Sequence, residues 1–437
     1  MFWQDSEPVT MEDVYFTFHD VIQSPDFQNP VLKINFEGVE IKKLDGKNIE
    51  FILQKPNAFF ITNFSVGILP KHILGDVPVA EMPTHTFNAR PIGSGPYSIK
   101  GEMDKAADGK ERVLLEASSV YYGPSPKIKN IRFNIYPNVH ALAQEKNTLN
   151  VISKVTKDIR DQVEKTGRFE FLTYELPQYT AVFINNDSEI LKNTRIRLGL
   201  QKAIDKNELL KVLFNRTAID TPLLELNQEE WIYKANMEEA KGALFDSGYK
   251  MDKASDNPYR IDEKGNKLKL IMLVRAYEKS TAIYDELNIL VTFLQDAWKK
   301  VGVEVEVQYE NVDTFNARVA KRNYDLLLTG QSLGYNLDTY SFWHSSQIGE
   351  GGLNLSNYRS FAADALIERI RTTFDTNEKN RLLYDLAKVI ADDVPAIFLY
   401  RPSYIFATDG KVKGVSLEGL AFASDRFAHV EEWCITC

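Results

Sequence analysis

The stretch "KLKLIML", Lys267 to Leu273, decides the fold class of this chain, because apolar residues stand at its alternate positions. That period of two is typical of a β-strand. Apolar residues then recur at helical spacing from Ile283 to Trp298, and alternation returns at residues 303–307. Gly302 follows two lysines, which is the pattern of a helix C-terminus. The order strand, helix, strand predicts a parallel β-α-β unit and therefore an α/β fold.

The pattern of helices and strands extends on both sides of this unit. Amphipathic helices are predicted at 193–204, at 206–214 with Asp205 as the capping residue, at 364–374 and at 377–390. A buried strand is predicted at "AIFLY", Ala396 to Tyr400. Residues 186–400 therefore form one predicted α/β domain.

The first 185 residues have a different composition. They contain short strand-like runs such as "NIEFILQ" at 48–54 and "KIKNIRFNIY" at 127–136, separated by turns rich in Gly and Pro. A chain of 437 residues also exceeds one ordinary core. We expect at least two lobes.

Composition excludes several classes of protein. The net charge of −9 comes from intermixed charges without a basic block, so nucleic acid is not an expected partner. No apolar run reaches the length of a membrane helix. Cys434 and Cys437 form a single C-x-x-C whose oxidation state the sequence leaves open, and the six histidines are scattered. Neither a metal site nor a cofactor is predicted.

One short motif favours an enzyme. "GQSLG", Gly330 to Gly334, matches the nucleophile elbow of serine hydrolases, with Asp338 and His344 downstream. An elbow places its serine between a strand and a helix, yet residues 335–340 are typical of a turn. A hydrolase that uses Ser332 is therefore kept only as an alternative.

Several motifs in order resemble one family. They are "FWQDSEPVTMEDVYFTF" from Phe2, "ILPKHIL" from Ile68, "IGSGPY" from Ile92, "LEASSVYYGPSPKIKNIRF" from Leu115, "FINNDSEILKNTRIRLGLQKAIDK" from Phe183, and "DALIERIR", "DVPAIFLYRPSY" and "VKGV" near the end. The first is similar to a W-x-D-G-x-P-V-T-A-x-D-V signature, with Ser6 in place of the glycine and Met11 in place of the alanine. Together they resemble the family 5 extracellular solute-binding proteins of ABC importers, the oligopeptide- and dipeptide-binding group.

The resemblance implies a fold and a division into domains. It implies a two-lobed α/β fold like that of periplasmic binding proteins (type II, large family 5 variant), with mixed sheets and a ligand cleft between the lobes. Residues 1–88 are expected to form part of an extra subdomain of the first lobe. Residues 89–185, with a return segment at 401–437, would form the first lobe, and 186–400 the second. The implied hinge residues are Asn185, Asn186, Arg401 and Pro402.

The loop "TGQSLGYNLDTYSFWHSSQ", Thr329 to Gln347, resembles the family's ligand loop. The resemblance implies a set of ligand-binding residues: Gln331, Tyr335, Asn336, Asp338, Trp343, Asn354 and Tyr179. The alternative that Trp343 and Tyr340 belong to the core is left open. Some relatives hold the α-amino group of the peptide with an acid at the position that Gly334 occupies here, and Asp338 is the candidate substitute.

The implied function is that of the extracytoplasmic substrate-binding component of an ABC importer. Such a protein is not an enzyme. It captures a peptide between two lobes, delivers it to membrane permease subunits, and is expected to be a monomer. A nickel chelate or an oligosaccharide is the alternative ligand within the family.

The resemblance also bears on the N-terminus. Relatives carry a signal peptide, often a lipid-anchoring cysteine, and several strands before the motif that here begins at Trp3. We therefore expect an N-terminally truncated chain whose membrane anchor is missing and whose first lobe has an unpaired sheet edge, with a complete C-terminus.

Overall fold

A computed structural model describes residues 1–101, 104–105, 110–231, 233–251, 257–279, 281–435 and 437. The chain forms two compact units. The first unit contains Met1–Pro56, Phe60–Tyr174 and Tyr404–Cys437, and the second contains Asn57–Phe59 and Glu175–Ser403. The second unit thus begins before the predicted lobe boundary at residue 186. The division into moving lobes stays a prediction.

Both units contain short strands, and most of the longer strands lie in the second unit. They are β1 Glu40–Lys43, β2 Ile49–Ile52, β3 Tyr97–Ile99, β4 Asp104–Lys105, β5 Glu111–Ala117, β6 Asn130–Ile135, β7 Val151–Ile152, β8 Glu170–Glu175, β9 Gln178–Ile184, β10 Arg216–Ala218, β11 Lys250–Met251, β12 Arg260–Ile261, β13 Lys269–Arg275, β14 Glu304–Glu310, β15 Leu326–Ser332, β16 Ala396–Thr408, β17 Val412–Lys413 and β18 Cys434–Ile435.

The longest helices lie in the second unit. The helices are α1 Met11–Tyr15, which continues as a π-helix over Phe16–Ile22, α2 Pro30–Phe36, α3 Lys71–Leu74, α4 Val139–Glu145, α5 Lys157–Val163, α6 Thr194–Lys202, α7 Lys206–Val212, α8 Met237–Asp246, α9 Ala282–Lys300, α10 Val312–Ala320, α11 Tyr340–Trp343, α12 Phe361–Thr372 and α13 Thr376–Asp393. Short 3-10 helices lie at Phe60–Phe64, Val79–Thr84, Thr86–Ala89, Glu164–Thr166, Gln228–Trp231, Ser345–Gln347, Ala423–Phe427 and Val430–Glu432. Among the described residues, no helix is both long and apolar enough to cross a membrane.

The predicted β-α-β unit is confirmed as β13, α9 and β14. The two strands pair in parallel, with Lys269 opposite Glu304 and Arg275 opposite Glu310. Gly302 ends the helix with a φ of 85°, which lies in the left-handed region that favours glycine. Trp298 is fully enclosed in this core and donates its indole N–H to the Leu200 carbonyl at 3.0 Å.

The other predicted helices of the second unit are confirmed as α6, α7, α12 and α13. Asp205 caps α7, since its carboxylate accepts hydrogen bonds from the backbone N–H groups of Asn207 at 3.0 Å and Glu208 at 3.3 Å. The predicted strand Ala396–Tyr400 is also present but continues to Thr408 as β16.

The sheet of the second unit is mixed. Its strands follow the order β10-β16-β9-β15-β13-β14. β15 is parallel to β13, whereas β9 runs antiparallel to both β15 and β16. The register between β15 and β9 places Gln331 opposite Tyr179 and Ser332 opposite Gln178. This pairing holds the start of the candidate ligand loop at the end of a buried strand.

The first unit has a smaller sheet and a separate core. β5 pairs with β3, β4 and β6, and the end of β16 pairs with β7. An aromatic core surrounds Phe36, whose ring centroid lies 5.4 Å from those of Phe18 and Phe60. Cys434 and Cys437 are joined by a disulfide.

An apolar cavity lies in the first unit, between its sheet and the C-terminal 3-10 helices. Its volume is about 170 Å³, and its walls include Tyr97, Leu115, Phe133 and Phe427.

Candidate functional site

The candidate ligand loop begins where β15 meets β9. Tyr179 is 1% exposed and donates its hydroxyl hydrogen to Gln331 Oε1 on the neighbouring strand. Burial raises the pKa of Tyr179, while a hydrogen bond associated with Trp343 lowers it by less. Tyr179 and Gln331 therefore contact each other, and both side chains are enclosed.

Trp343 lies in an aromatic cluster on the same sheet. Its ring stacks on Phe183 with centroids 6.1 Å apart, and it contacts Phe398 at 5.6 Å and Tyr358 at 6.4 Å. The residue is 1% exposed. These contacts match the alternative that Trp343 belongs to the core.

Asn354 organises the backbone that follows the loop. Its Nδ2 donates to the carbonyls of His344 at 3.2 Å and Tyr358 at 2.9 Å, and its Oδ1 accepts from the Tyr358 N–H at 3.1 Å. Each polar atom of this amide has a partner in the protein. The geometry gives Asn354 a structural role in this loop.

Tyr335 and Asn336 lie on the outer part of the loop. Tyr335 is 39% exposed, and Asn336 is partly exposed. Asn336 Oδ1 accepts a hydrogen bond from the Asp338 backbone N–H at 2.9 Å, which fixes the turn. Of the predicted ligand residues, this pair offers the most surface to an incoming molecule.

Asp338 is enclosed beside Arg371, a residue that the sequence analysis did not single out. Its side chain is 3% exposed, and its Oδ2 lies 2.9 Å from Nε of Arg371, near the end of α12. Oδ1 accepts from the Tyr340 backbone N–H at 3.0 Å. Burial raises the pKa of Asp338, and the opposing effect of Arg371 does not cancel it.

The contact between Asp338 and Arg371 is an ion pair without hydrogen-bond alignment. Within the described part of the chain, neither Asp338 Oδ2 nor Arg371 Nε has a hydrogen-bond partner, although both atoms are enclosed. The Arg371 guanidinium also lies over the Tyr340 ring, 4.2 Å from its centroid. The arginine is thus held by charge and stacking.

A second ion pair lies close to the first. Lys379 Nζ is 3.5 Å from Glu225 and 5.1 Å from the centre of the Phe59 ring. Burial raises the pKa of Glu225, Lys379 opposes that rise, and the charge of Asp338 adds to it. Because the charge of Asp338 acts on Glu225, the two ion pairs lie near each other.

Sequence reasoning missed Arg371 and Lys379 because both lie in helices that were interpreted only as amphipathic. Nothing in the local sequence indicates that a cation on these helices lies beside the candidate ligand loop. The fold brings Arg371 to Asp338 and Lys379 to Glu225.

The geometry around Ser332 does not support a nucleophile elbow. Ser332 is the exposed last residue of β15, and residues 333–339, all of which are described, contain no helix. His344 Nδ1 accepts from the Ser346 backbone N–H at 3.1 Å, and its ring stacks on Tyr340 at 4.4 Å. The strand–turn–helix geometry of a hydrolase is not formed here.

The predicted hinge residues all lie in the second unit. Asn185 donates from Nδ2 to the carbonyls of Arg322 at 3.2 Å and Tyr324 at 3.0 Å. Asn186 donates to the Ser356 carbonyl at 2.9 Å.

Arg401 and Pro402 are inside β16, opposite Thr217 and Arg216 of β10. A hinge motion at these four residues stays a prediction.

One group of metal-capable side chains is brought together in the first unit. Among the described residues, the ligand atoms of His429, Glu431 and Glu432 lie within 4.8 Å of one another. Two of these side chains are exposed, and exposed acidic groups often lie together without a metal. The group is far along the chain from the candidate ligand loop.

Comparisons with known proteins agree on one family. The family model described as "Bacterial extracellular solute-binding proteins, family 5 Middle" matches residues 1–352. The oligopeptide-binding protein AppA of Bacillus subtilis (strain 168) is 26% identical over 459 residues, which cover 99% of this chain and 78% of AppA.

Two solved structures share the fold. The structure of AppA from Bacillus subtilis in complex with a nonapeptide has a TM-score of 0.77 at 23% identity, covering 99% of this chain and 85% of that one. NikZ from Campylobacter jejuni in complex with Ni(L-His) has a TM-score of 0.78 at 22% identity, with the same coverage. The predicted α/β fold with mixed sheets is confirmed. This chain belongs to family 5 of the bacterial extracellular solute-binding proteins.

Proposed function

We propose that this protein is the extracytoplasmic substrate-binding component of an ABC importer and that its ligand is a peptide. The observation that carries the proposal is the family match over residues 1–352. The similarity to an oligopeptide-binding protein along 99% of the chain supports a peptide as the ligand. Delivery would be to the permease subunits of the importer.

The chemistry of the loop suits a peptide. Tyr335 offers a flat apolar surface and a hydroxyl, and Asn336 offers an amide that matches the donors and acceptors of a peptide main chain. The enclosed residues of the predicted set would act indirectly, by fixing the loop through the contacts described above. They are Gln331, Trp343, Asn354 and Tyr179. Contacts of this kind recognise main-chain groups and tolerate varied side chains.

The test is to identify what the purified protein carries. We expect native mass spectrometry of protein purified without unfolding to show additional masses that denaturation releases as peptides. A sample unfolded and refolded in clean buffer provides the control, and it should carry none of these masses.

Other outcomes would contradict the proposal. Stoichiometric nickel by elemental analysis, with no peptide present, would favour the nickel-binding relatives. A released oligosaccharide would favour a sugar ligand. Labelling by a serine-reactive fluorophosphonate that disappears in Ser332→Ala would favour a hydrolase.

A further inference from the structure

Three side chains that can bind a metal ion lie together near the C-terminus, in the first unit. His429 immediately precedes the 3-10 helix Val430–Glu432, and Glu431 and Glu432 belong to that helix. Their ligand atoms all lie within 4.8 Å of one another. Ligands bonded to one ion at about 2.1 Å lie about 3 to 3.5 Å apart. Because His429 and Glu432 are exposed, small rotations of their side chains can close this difference.

One carboxylate oxygen of this group is enclosed without a donor. The Tyr121 hydroxyl hydrogen-bonds with the Glu431 carboxylate. Among the described residues, however, Glu431 Oε2 itself has no hydrogen-bond partner. An enclosed carboxylate oxygen without a donor is costly unless a positive charge lies beside it. The position of Glu431 Oε2 therefore favours a bound cation.

Another pair of adjacent glutamates shows how the protein balances such charges elsewhere. Glu238 of α8 lies 2.8 Å from Lys241 Nζ, and Glu239 lies 2.9 Å from Lys202 Nζ. In the part of the chain that the structure describes, neither Glu431 nor Glu432 has a lysine or arginine as an ion-pair partner. The two carboxylates near the C-terminus thus have no balancing side chain within those limits.

The types of ligand indicate which cation fits. Two carboxylates and one neutral imidazole balance the charge of a divalent ion. Imidazole nitrogen suits Zn²⁺ and Ni²⁺, whereas Ca²⁺ and Mg²⁺ take oxygen ligands. Three protein ligands also leave at least one coordination position for water.

We propose that His429, Glu431 and Glu432 form a binding site for a divalent transition-metal ion of the class of Zn²⁺ or Ni²⁺. The ion would join the residue before the 3-10 helix to the end of that helix, just ahead of the Cys434–Cys437 disulfide. It would therefore stabilise the last segment of the first unit. The candidate ligand loop belongs to the second unit, so this proposal does not depend on the proposed function.

The test measures metal uptake by the oxidised protein. Bound metal is first removed with a chelator, and the chelator is removed by dialysis. A thiol assay must show that the disulfide is intact, because free thiolates of Cys434 and Cys437 would themselves bind zinc. We expect isothermal titration calorimetry to show saturable uptake of one equivalent of Zn²⁺, and Ca²⁺ should bind more weakly than Zn²⁺.

Variants assign that uptake to the three side chains. His429→Ala and Glu431→Gln should each weaken Zn²⁺ binding by at least about 10-fold, since even loss of a residue that only orients a metal ligand costs that much. The double variant Glu431→Gln/Glu432→Gln should abolish the saturable phase. Its matched control is Glu238→Gln/Glu239→Gln, which removes two adjacent carboxylates that have lysine partners and should bind Zn²⁺ as the wild type does.

Thermal unfolding provides a second measurement. Zn²⁺ should raise the melting temperature of the wild type and of the control, because it binds the folded state, and should leave that of Glu431→Gln/Glu432→Gln unchanged. Absence of saturable uptake by the wild type would overturn the proposal. So would equal uptake by the wild type and Glu431→Gln/Glu432→Gln, or tighter binding of Ca²⁺ than of Zn²⁺.

Discussion

Two aspartate–arginine pairs, one in each compact unit, have similar separations, but the pKa values of their aspartates are shifted in opposite directions. Asp338 and Arg371 in the second unit are 2.9 Å apart, and Asp409 and Arg168 in the first unit are 3.2 Å apart. In both pairs the carboxylate is enclosed and the arginine is about one quarter exposed. Yet the pKa of Asp338 is raised, and the pKa of Asp409 is lowered.

The difference lies in how deeply each carboxylate is buried and in the hydrogen bonds that it accepts. Burial alone would raise the pKa of Asp409, but hydrogen bonds from Asn150 Nδ2, the Lys411 backbone N–H and Arg168 outweigh it. Asp338 accepts from the Tyr340 N–H, while its Oδ2 is left without a hydrogen bond within the described residues. The cost of burial is larger at Asp338, and the nearby arginine does not offset it. We call Asp409 and Arg168 the aligned pair, because the arginine donates a hydrogen bond to the carboxylate, and Asp338 and Arg371 the misaligned pair.

A third pair extends the comparison to complete enclosure. Lys206 and Asp220 are 3% and 4% exposed, Lys206 also donates to the Ile219 carbonyl at 2.7 Å, and its ammonium lies over the Tyr233 ring. Burial lowers the pKa of Lys206. We expect Lys206→Met to lower the free energy of unfolding by about 3–5 kcal/mol, because the Asp220 charge is left buried without its partner. Urea unfolding measures this.

The matched control for that prediction is Lys211→Met. Lys211 lies on the same helix, is 67% exposed and pairs with Glu208 at the surface. Its loss should change stability by less than about 0.5 kcal/mol. Equal effects of the two variants would show that enclosure does not set the strength of these pairs.

The aligned pair of the first unit predicts a pH-dependent loss. Asp409→Asn should cost about 1.5 kcal/mol at pH 7, because the carboxylate loses hydrogen bonds to charged and neutral donors. The pKa of Asp409 is lowered in the folded state, so its contribution is complete above the ordinary value of 3.8 and is lost as pH falls through the folded pKa. Unfolding of both proteins from pH 7 to pH 2 should show the two stabilities converging below pH 4.

The misaligned pair predicts the opposite trend and a smaller effect. Asp338→Asn should cost no more than about 0.5 kcal/mol at pH 7, because the ionised form is already disfavoured by burial and an asparagine can still accept from the Tyr340 N–H. The pKa is raised in the folded state, so the wild type should gain stability relative to the variant as pH falls from 7 toward 3.8. If the difference in stability between the wild type and Asp338→Asn instead narrowed only below pH 4, as expected for Asp409→Asn, the comparison would be contradicted.

The smallest effect on stability is expected on the outer loop. Tyr335→Ala should change the free energy of unfolding by less than about 0.5 kcal/mol, because Tyr335 is 39% exposed. Peptide affinity should fall by about 1–3 kcal/mol if its ring lies against the ligand. Calorimetric titration and urea unfolding of the same sample separate the two, and a loss of stability with unchanged affinity would place Tyr335 in the core.

Local periodicity was sufficient for much of the second unit. The β13–α9–β14 unit and the Asp205 cap depend on residues close together in the chain, and both are present as expected. The position of β9 between β15 and β16 depends on pairing over long distances, which no local pattern specifies. The extension of β16 through Pro402 was also missed, because proline usually argues against a strand.

The candidate site shows the same limit. Trp343 and Tyr335 are both aromatic residues of one loop, and their residue types do not distinguish the enclosed side chain from the exposed one. Exposure is decided by partners such as Phe183 and Phe398, which come from other strands. For the same reason, the sequence could not show that Arg371 lies beside Asp338.

The division of the chain between the units has a consequence for its synthesis. The second unit is nearly continuous from Glu175 to Ser403, whereas the first unit combines residues made early with the last segment, Tyr404–Cys437. Val151 and Ile152 of β7 pair with Thr408 and Ala407, which follow the whole of the second unit in the chain. The first unit therefore cannot be completed until the second unit has been synthesised, and its early segments must stay unaggregated until then.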